Sequence, residues 1–231
     1  MKVLQILPQL NIGGVERGTL DLSKALIHKG HESFVISGGG ILVDELEQLG
    51  ARHYEIPVHI KSLMTLSLAK SLSETISSID PDIVHIRSRM PAWVNYRAFK
   101  MLQKKPLLVS TFHGLYSFPI YSKVMSFVDH SIAISKTVEN YILENYKLDK
   151  NDITVIPRGC DPVEFNNDEI NPDDKAKIID EFPQIVGKKV LTIPGRISKW
   201  KGVAEFIELL SLLDDSYHAV SYTHLTLPTK A

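Results

Sequence analysis

Cysteine is almost missing from this chain. Cys160 is the only one among 231 residues, so no disulfide can form within it, and a reducing compartment suits it. Long apolar runs are missing as well: none approaches the about 18 residues that a membrane-spanning helix needs. The opening residues Met1-Lys2-Val3-Leu4-Gln5 enter a strand pattern at once and lack the layout of a secretion signal. A cytoplasmic setting is the expectation. Neither sign of charge dominates. Lys plus Arg number 26 against 27 Asp plus Glu, a net of -1, so no global field favours nucleic acid as a partner. Two phosphate-binding signatures are absent too. No Gly-x-Gly-x-x-Gly follows a strand pattern, and no Walker sequence occurs. The second strand pattern ends Val35-Ile36-Ser37-Gly38, without the acidic residue a nicotinamide cofactor requires.

What is present is an alternation of short β-branched runs and helical periodicities. Lys2–Leu7, Ser33–Ser37, Arg52–Ile56, Ile83–Ile86, Leu107–Thr111, Ser131–Ile134 and Ile153–Ile156 read as strands. Between them, Glu16–Lys29, Leu42–Leu49, a segment marked by Leu68, Leu72, Ile76 and Ile79, Ala92–Gln103 and Lys136–Asn145 read as helices. This order implies an α/β fold with a parallel sheet covered by helices on both faces. Residues 161–187 turn polar and proline-rich and read as a linker with one short helix near Asp174–Phe182. Strand Lys189–Ile193 and the apolar helix Gly202–Leu213 then begin a second βα pattern.

Ligands of such sheets gather at the carboxyl ends of the strands, so the turns there are the candidates. Gly13-Gly14 lies between the first strand and the first helix. Bare backbone at a helix N-terminus suits a phosphate; a tight turn without a ligand is the plain alternative. Arg196 and Lys201 in "GRISKWKG" flank a second strand-to-helix turn. They suit a diphosphate, or are a solvated basic turn. Arg87, Arg89 and Arg158 also end strands, where acceptor phosphate binding and surface ion pairing are both open. Glu16 begins the first helix, where a carboxylate complements the dipole whether or not it meets substrate. Asp80-Pro81-Asp82 precedes its strand, at the wrong edge for a metal site, so no metal is expected. Arg97, Lys100, Lys104 and Lys105, with Trp93 and Phe99, form a basic stripe. It is a solvated helix face or a contact with an anionic membrane.

Five segments in order, "NIGGVERG", "STFHGLY", "IAISKTVENYI", "VIPRGCD" and "PGRISKWKG", resemble family 4 glycosyltransferases from residue 2 to about 213. "HIRSRMPAW" and "KWKG" further resemble a bacterial subgroup associated with envelope polysaccharide or lipopolysaccharide. The resemblance implies the GT-B architecture, in which two Rossmann-like domains face each other across a cleft. It implies a retaining transfer of sugar from a nucleotide-sugar donor to a glycan or lipid-linked acceptor, with no cofactor or metal. It places Gly13, Gly14, Arg196 and Lys201 on the donor phosphates and His113 on the reacting sugar. Glu16, Arg87, Arg89 and Arg158 are left as acceptor or cleft residues.

The expected organisation is an N-terminal Rossmann-like domain over 1–165, a linker with a short helix over 166–187, and the beginning of a second Rossmann-like domain over 188–220. Residues 221–231 have no counterpart in the family pattern. They read either as a foreign tail on a truncated chain or as a natural tail that buries Leu225 and Leu227. A truncated chain is expected to be inactive alone. A non-catalytic half that binds a sugar phosphate or a partner protein is the second functional reading.

Overall fold

The computed structural model describes residues 1–60, 63–116, 119–160, 162, 166, 171–195, 197 and 201–222. The chain forms two compact units, Met1–Arg158 and Gly159–Ala231. The first ends at Arg158, where the sequence placed a boundary at about 165.

The first unit alternates as expected: β1 (Lys2–Ile6), α1 (Gly14–His28), β2 (Glu32–Ser37), α2 (Val43–Gln48), β3 (Arg52–Glu55), α3 (Ala69–Ile79), β4 (Ile83–Ile86), α4 (Arg89–Phe99), β5 (Leu107–Phe112), α5 (Pro119–Ser122), β6 (His130–Ala133), α6 (Lys136–Tyr146) and β7 (Ile153–Val155). The sequence pattern missed the 3₁₀ turns Leu63–Leu68 and Lys123–Ser126 and the one-turn α5, which are too short to show a period. It also placed the start of α4 at Ala92. The helix begins at Arg89 because Pro91 falls in its first turn, where the missing N–H has no partner to lose.

All seven strands are parallel, in the order β3-β2-β1-β4-β5-β6-β7. Chain order reverses between β1 and β4, and that switch point is where doubly wound sheets bind ligands. Period-two alternation sends neighbouring side chains to opposite faces. Phe34 and Ile36 of β2 join the larger core with Leu72 and Ile76 of α3, Ala98 of α4 and Ile142 of α6. Val35 between them joins the smaller core with Leu20 of α1 and Leu46 of α2. The acidic pair flanking Pro81 lies at the amino edge: Asp80 pairs with Lys104, and Asp82 accepts the backbone N–H of Lys2. The stripe read on α4 and beyond thereby has one of its cations already engaged.

In the second unit, α7 (Pro172–Glu181) is capped by Asn171. Strands β8 (Lys189–Pro194) and β9 (Tyr217–Tyr222) pair in parallel around α8 (Val203–Leu210). Among its described residues only Gly195 is buried. Ile207 is 62% exposed and Leu212 81%, the uncovered apolar face expected of so few elements. β9 runs to Tyr222 and so takes in the first two positions of the expected tail, 221 and 222; the rest of it, with Leu225 and Leu227, lies outside the described residues.

This packing can be tested at two positions. Gly40 has φ +141, and a Cβ there would run into the Leu10 backbone carbonyl. Gly40→Ala should cost about 1–3 kcal/mol in urea unfolding, the range for a residue forced into such a conformation. The second position is His85 on β4, which is 5% exposed and hydrogen-bonded to Thr111 Oγ1 on β5 at 2.7 Å. Burial, helped by Arg87 and His113, pushes its pKa from 6.5 to about 3. Between those values only the unfolded chain binds the proton. Stability should therefore be full above about pH 6.5 and decline as pH falls toward 3. Urea midpoints measured from about pH 7.5 down to about pH 4.5 should fall less steeply for His85→Asn.

Candidate active site

Gly13 and Gly14 stand where β1 gives way to α1. Gly13 is extended, with φ 171 and ψ 167, so its backbone does not demand glycine. Its surroundings are tighter: the Glu16 carboxylate folds back over it. Gly14 is confined by a different group. A Cβ at Gly14 would lie 2.8 Å from Arg158 Nη1, and one at Gly18 3.2 Å from Arg87 Nη2. Residues four apart share a helix face, so Gly14 and Gly18 form a bare strip on which two guanidinium groups rest. Gly13, at the N-cap of α1, has no side chain to cap the first turn, and the acidic group of that turn is Glu16, folded back over Gly13 toward the positive end of the dipole.

Arg87 follows β4 and is 6% exposed. Its Nη1 donates to Gln5 Oε1 at 2.9 Å, while its Nε finds no partner among the described residues. Gln5 is itself fully buried in β1 and donates to Thr19 O and Ser23 Oγ of α1. Burial first, and then Arg158, lowers the Arg87 pKa to about 10, against the opposing pull of Glu16 and Asp21; the group stays charged at neutral pH. The sequence reading left Gln5 and Gly18 out. A polar residue inside an apolar strand, and a third glycine one helical turn after the second, were the signals available.

Arg158 ends the first unit just beyond β7. It donates through Nη1 to the Gly14 carbonyl and through Nη2 to His113 Nδ1 at 2.9 Å. His113 follows Phe112, which is fully buried against Tyr116 and Tyr146, and Tyr141 Oη donates to Tyr116 O at 2.7 Å. That packing holds the turn after β5. A guanidinium has no acceptor, so His113 Nδ1 must be the accepting nitrogen and the ring proton sits on Nε2. Nε2 is buried and has no partner among the described residues. Burial, then Arg87 and Arg158, push the His113 pKa to about 3, so the ring is neutral at physiological pH.

The fold thus gathers Gly13, Gly14, Glu16, Arg87, His113 and Arg158 at the carboxyl edge beside the switch point. Arg89 goes elsewhere. It begins α4 and stacks over Tyr116 at 4.7 Å and Tyr121 at 5.5 Å, with Nη1 3.3 Å from Ser122 Oγ. None of the three arginines makes an ion pair among the described residues, so surface pairing does not account for them. In the second unit Lys201 is exposed, directly before α8, with its stem 3.6 Å from where a Cβ on Gly195 would stand. Arg196 lies outside the described residues. No group of three or more metal-ligating side chains occurs among the described residues.

Known proteins bear on this arrangement. The family model of Glycosyltransferase Family 4 matches residues 12–164. An uncharacterised glycosyltransferase of Methanocaldococcus jannaschii is 34% identical over 148 residues, which is 56% of this chain and 36% of the relative. One component of the human phosphatidylinositol N-acetylglucosaminyltransferase is 24% identical over 187 residues, 73% of this chain and 38% of that one. The match thus spans just over a third of the length of either curated relative. Among solved structures, a glycosyltransferase from Rickettsia africae superposes with a TM-score of 0.75 and 30% identity, over 96% of this chain and 68% of its own. Anabaena HepE, solved with UDP and glucose, superposes with a TM-score of 0.76 and 19% identity, over 96% and 60%. The parallel sheet with its switch-point site and the match across most of the first unit lead to one conclusion: the chain belongs to glycosyltransferase family 4.

Proposed function

We propose that this chain carries the acceptor-side domain and the first donor-side elements of a retaining glycosyltransferase that uses a nucleotide sugar. The observation that carries the reading is His113 Nε2–H, a buried donor without a partner among the described residues, on a ring whose Nδ1 accepts from Arg158 and which feels the charges of Arg87 and Arg158. A neutral imidazole in that tautomer donates a hydrogen bond to a sugar hydroxyl and has no proton to give as an acid at neutral pH. The backbone N–H groups at the Gly13-Gly14 turn and the charge of Arg87 favour the anionic part of the donor. Lys201 and Arg196 supply cations from the second βα turn.

In the transfer, the bond between the anomeric carbon and the diphosphate oxygen breaks and its electron pair stays on the diphosphate. The acceptor oxygen bonds to the anomeric carbon on the same face. The acceptor proton passes to the departing phosphate oxygen, so no protein carboxylate is needed as base. Preorganised cations lower the barrier because the diphosphate gains charge in the transition state. HepE was solved with UDP and glucose, which supports a nucleotide-sugar donor. The human relative's name specifies a phosphatidylinositol acceptor, which supports a lipid-linked acceptor here, and envelope polysaccharide or lipopolysaccharide is our narrower assignment.

A lipid-linked acceptor calls for membrane contact. Rings run in sequence along α4 and the turn after α5: Tyr121 to Trp93 at 6.4 Å, Trp93 to Tyr96 at 6.2 Å and Tyr96 to Phe127 at 5.2 Å. Lys100 sits 4.2 Å over Tyr96, Ile120 beside the ladder is 90% exposed, and Arg97, Lys105 and Lys123 are exposed. Aromatic rings with cations at their edge suit an anionic bilayer surface. No helix among the described residues is long and apolar enough to cross a membrane. A second functional reading, a non-catalytic sugar-phosphate or partner-binding half, is favoured by the second unit, where Gly195 is the only buried described residue.

Kinetics separate the two readings. In a protein completed to the length of its relatives, Lys201→Ala should lower kcat about a hundredfold or more, by analogy with a lost oxyanion donor. His113→Ala should lower kcat with retained nucleotide binding. Unchanged turnover in both variants would overturn the roles given to Lys201 and His113, and absence of turnover in the completed protein would leave only the binding reading; the 231-residue chain alone should bind nucleotide without turnover. Sedimentation should show the chain on phosphatidylglycerol-containing vesicles and not on phosphatidylcholine alone. Lys100→Glu with Lys105→Glu, or raised salt, should release it.

A further inference from the structure

We propose that Arg158 is a positioning residue for His113: it seats on the glycine strip of α1 and holds the imidazole in the tautomer that leaves Nε2–H free for substrate. The inference rests on the transferase reading for its purpose, but not for its geometry. Gly14 and Arg158 are 144 positions apart, at the starts of structure after β1 and after β7. Arg158 is exposed, and its two terminal nitrogens each donate to the protein, Nη1 to the Gly14 carbonyl and Nη2 to His113 Nδ1 at 2.9 Å. The bare face of α1 explains itself in the same terms. A methyl group at Gly14 would stand 2.8 Å from Arg158 Nη1 and push the guanidinium off its seat.

Without such a donor the neutral ring is free to choose either tautomer. In one of them Nδ1 carries the proton and Nε2 has only a lone pair, which cannot donate to a sugar hydroxyl. Arg158 excludes that state because two donors would face each other. It also opposes imidazolium, and its charge acts together with that of Arg87, with His85 of β4 acting on the ring and the Tyr116 phenol on the His113 backbone, and with Glu16 and Asp21 of α1 acting on Arg87.

Nitrogen-15 NMR of the histidine rings in the intact chain tests this without any assay of transfer. In the wild type, His113 should show a protonated, pyrrole-type Nε2 and a pyridine-type Nδ1 down to acidic pH. Arg158→Met should populate the Nδ1–H tautomer and raise the His113 titration toward 6.5, the ordinary value. Arg158→Lys, which keeps a donor and a charge, should recover part of the wild-type pattern. Gly14→Ala should mimic Arg158→Met in a chain that still has its arginine, and so guards against a variant that merely fails to fold. A wild-type ring protonated at Nδ1, or a tautomer and titration indifferent to both substitutions, would overturn the proposal. If the NMR behaves as stated while His113→Ala transfers sugar normally in the completed protein, Arg158 still sets the ring and it is the catalytic reading that falls.

Discussion

Two guanidinium groups share the first turns of α1 with no carboxylate hydrogen-bonded to either among the described residues, and much of the first unit is arranged so that they can. Like charges in a partly dry place repel, and each also loses hydration. Neutral acceptors do the compensating: Gln5 Oε1 for Arg87, the Gly14 carbonyl and His113 Nδ1 for Arg158. Glu16 and Asp21 act at longer range, enough to bias Arg87 toward its charged form without bonding it. A direct ion pair would satisfy the site and leave nothing for a substrate anion. Neutral partners keep it positive.

That arrangement accounts for an asymmetry between the two faces of the sheet. The face under α3, α4 and α6 is a broad apolar core. The face under α1 has an apolar part around Leu20 and Val35, but beside it runs a buried polar chain of Arg87, Gln5, Ser23 and Ser33. Its hydrogen bonds tie β1, α1, β2 and Arg87 together, with Arg87 Nε left without a partner among the described residues, and it leads directly from the middle of β1 to the site. On the far side of the site, Phe112, Tyr116, Tyr141 and Tyr146 fix the turn that presents His113. The imidazole is thus held from below by packing and from the side by Arg158, which is what electrostatic preorganisation needs.

In the second unit Lys201 stands shortly before α8, and among the described residues there only Gly195 is buried. Among the described residues β8 and β9 pair only with each other, and α8 buries none of its residues. Lys201 is exposed on this frame, whereas Arg87 is buried and bonded to Gln5 of the seven-stranded sheet. The difference bears on function directly, because charge stabilisation depends on groups that do not have to reorganise as the reaction proceeds.

Much of this was readable in the amino-acid order. β-branched runs alternating with helical periodicities specified the parallel α/β fold, and the fold specified that the turns after the strands matter, so Gly13-Gly14, Arg87, His113 and Arg158 were all marked out before any contact was known. The roles within that set were not readable. Local pattern encodes what neighbours a few positions away do, whereas Arg158 meets Gly14 only because the strand order puts β1 and β7 on one sheet edge. The same pattern could not tell Arg87, buried on a glutamine, from Arg89, two residues later and turned toward aromatic rings, since both follow the same strand. Nor could it say which imidazole nitrogen of His113 holds the proton. Sequence determined which residues reach the carboxyl edge; the tertiary structure decided what each faces there, because hydrogen bonds act over about 3 Å and do not respond to chain distance.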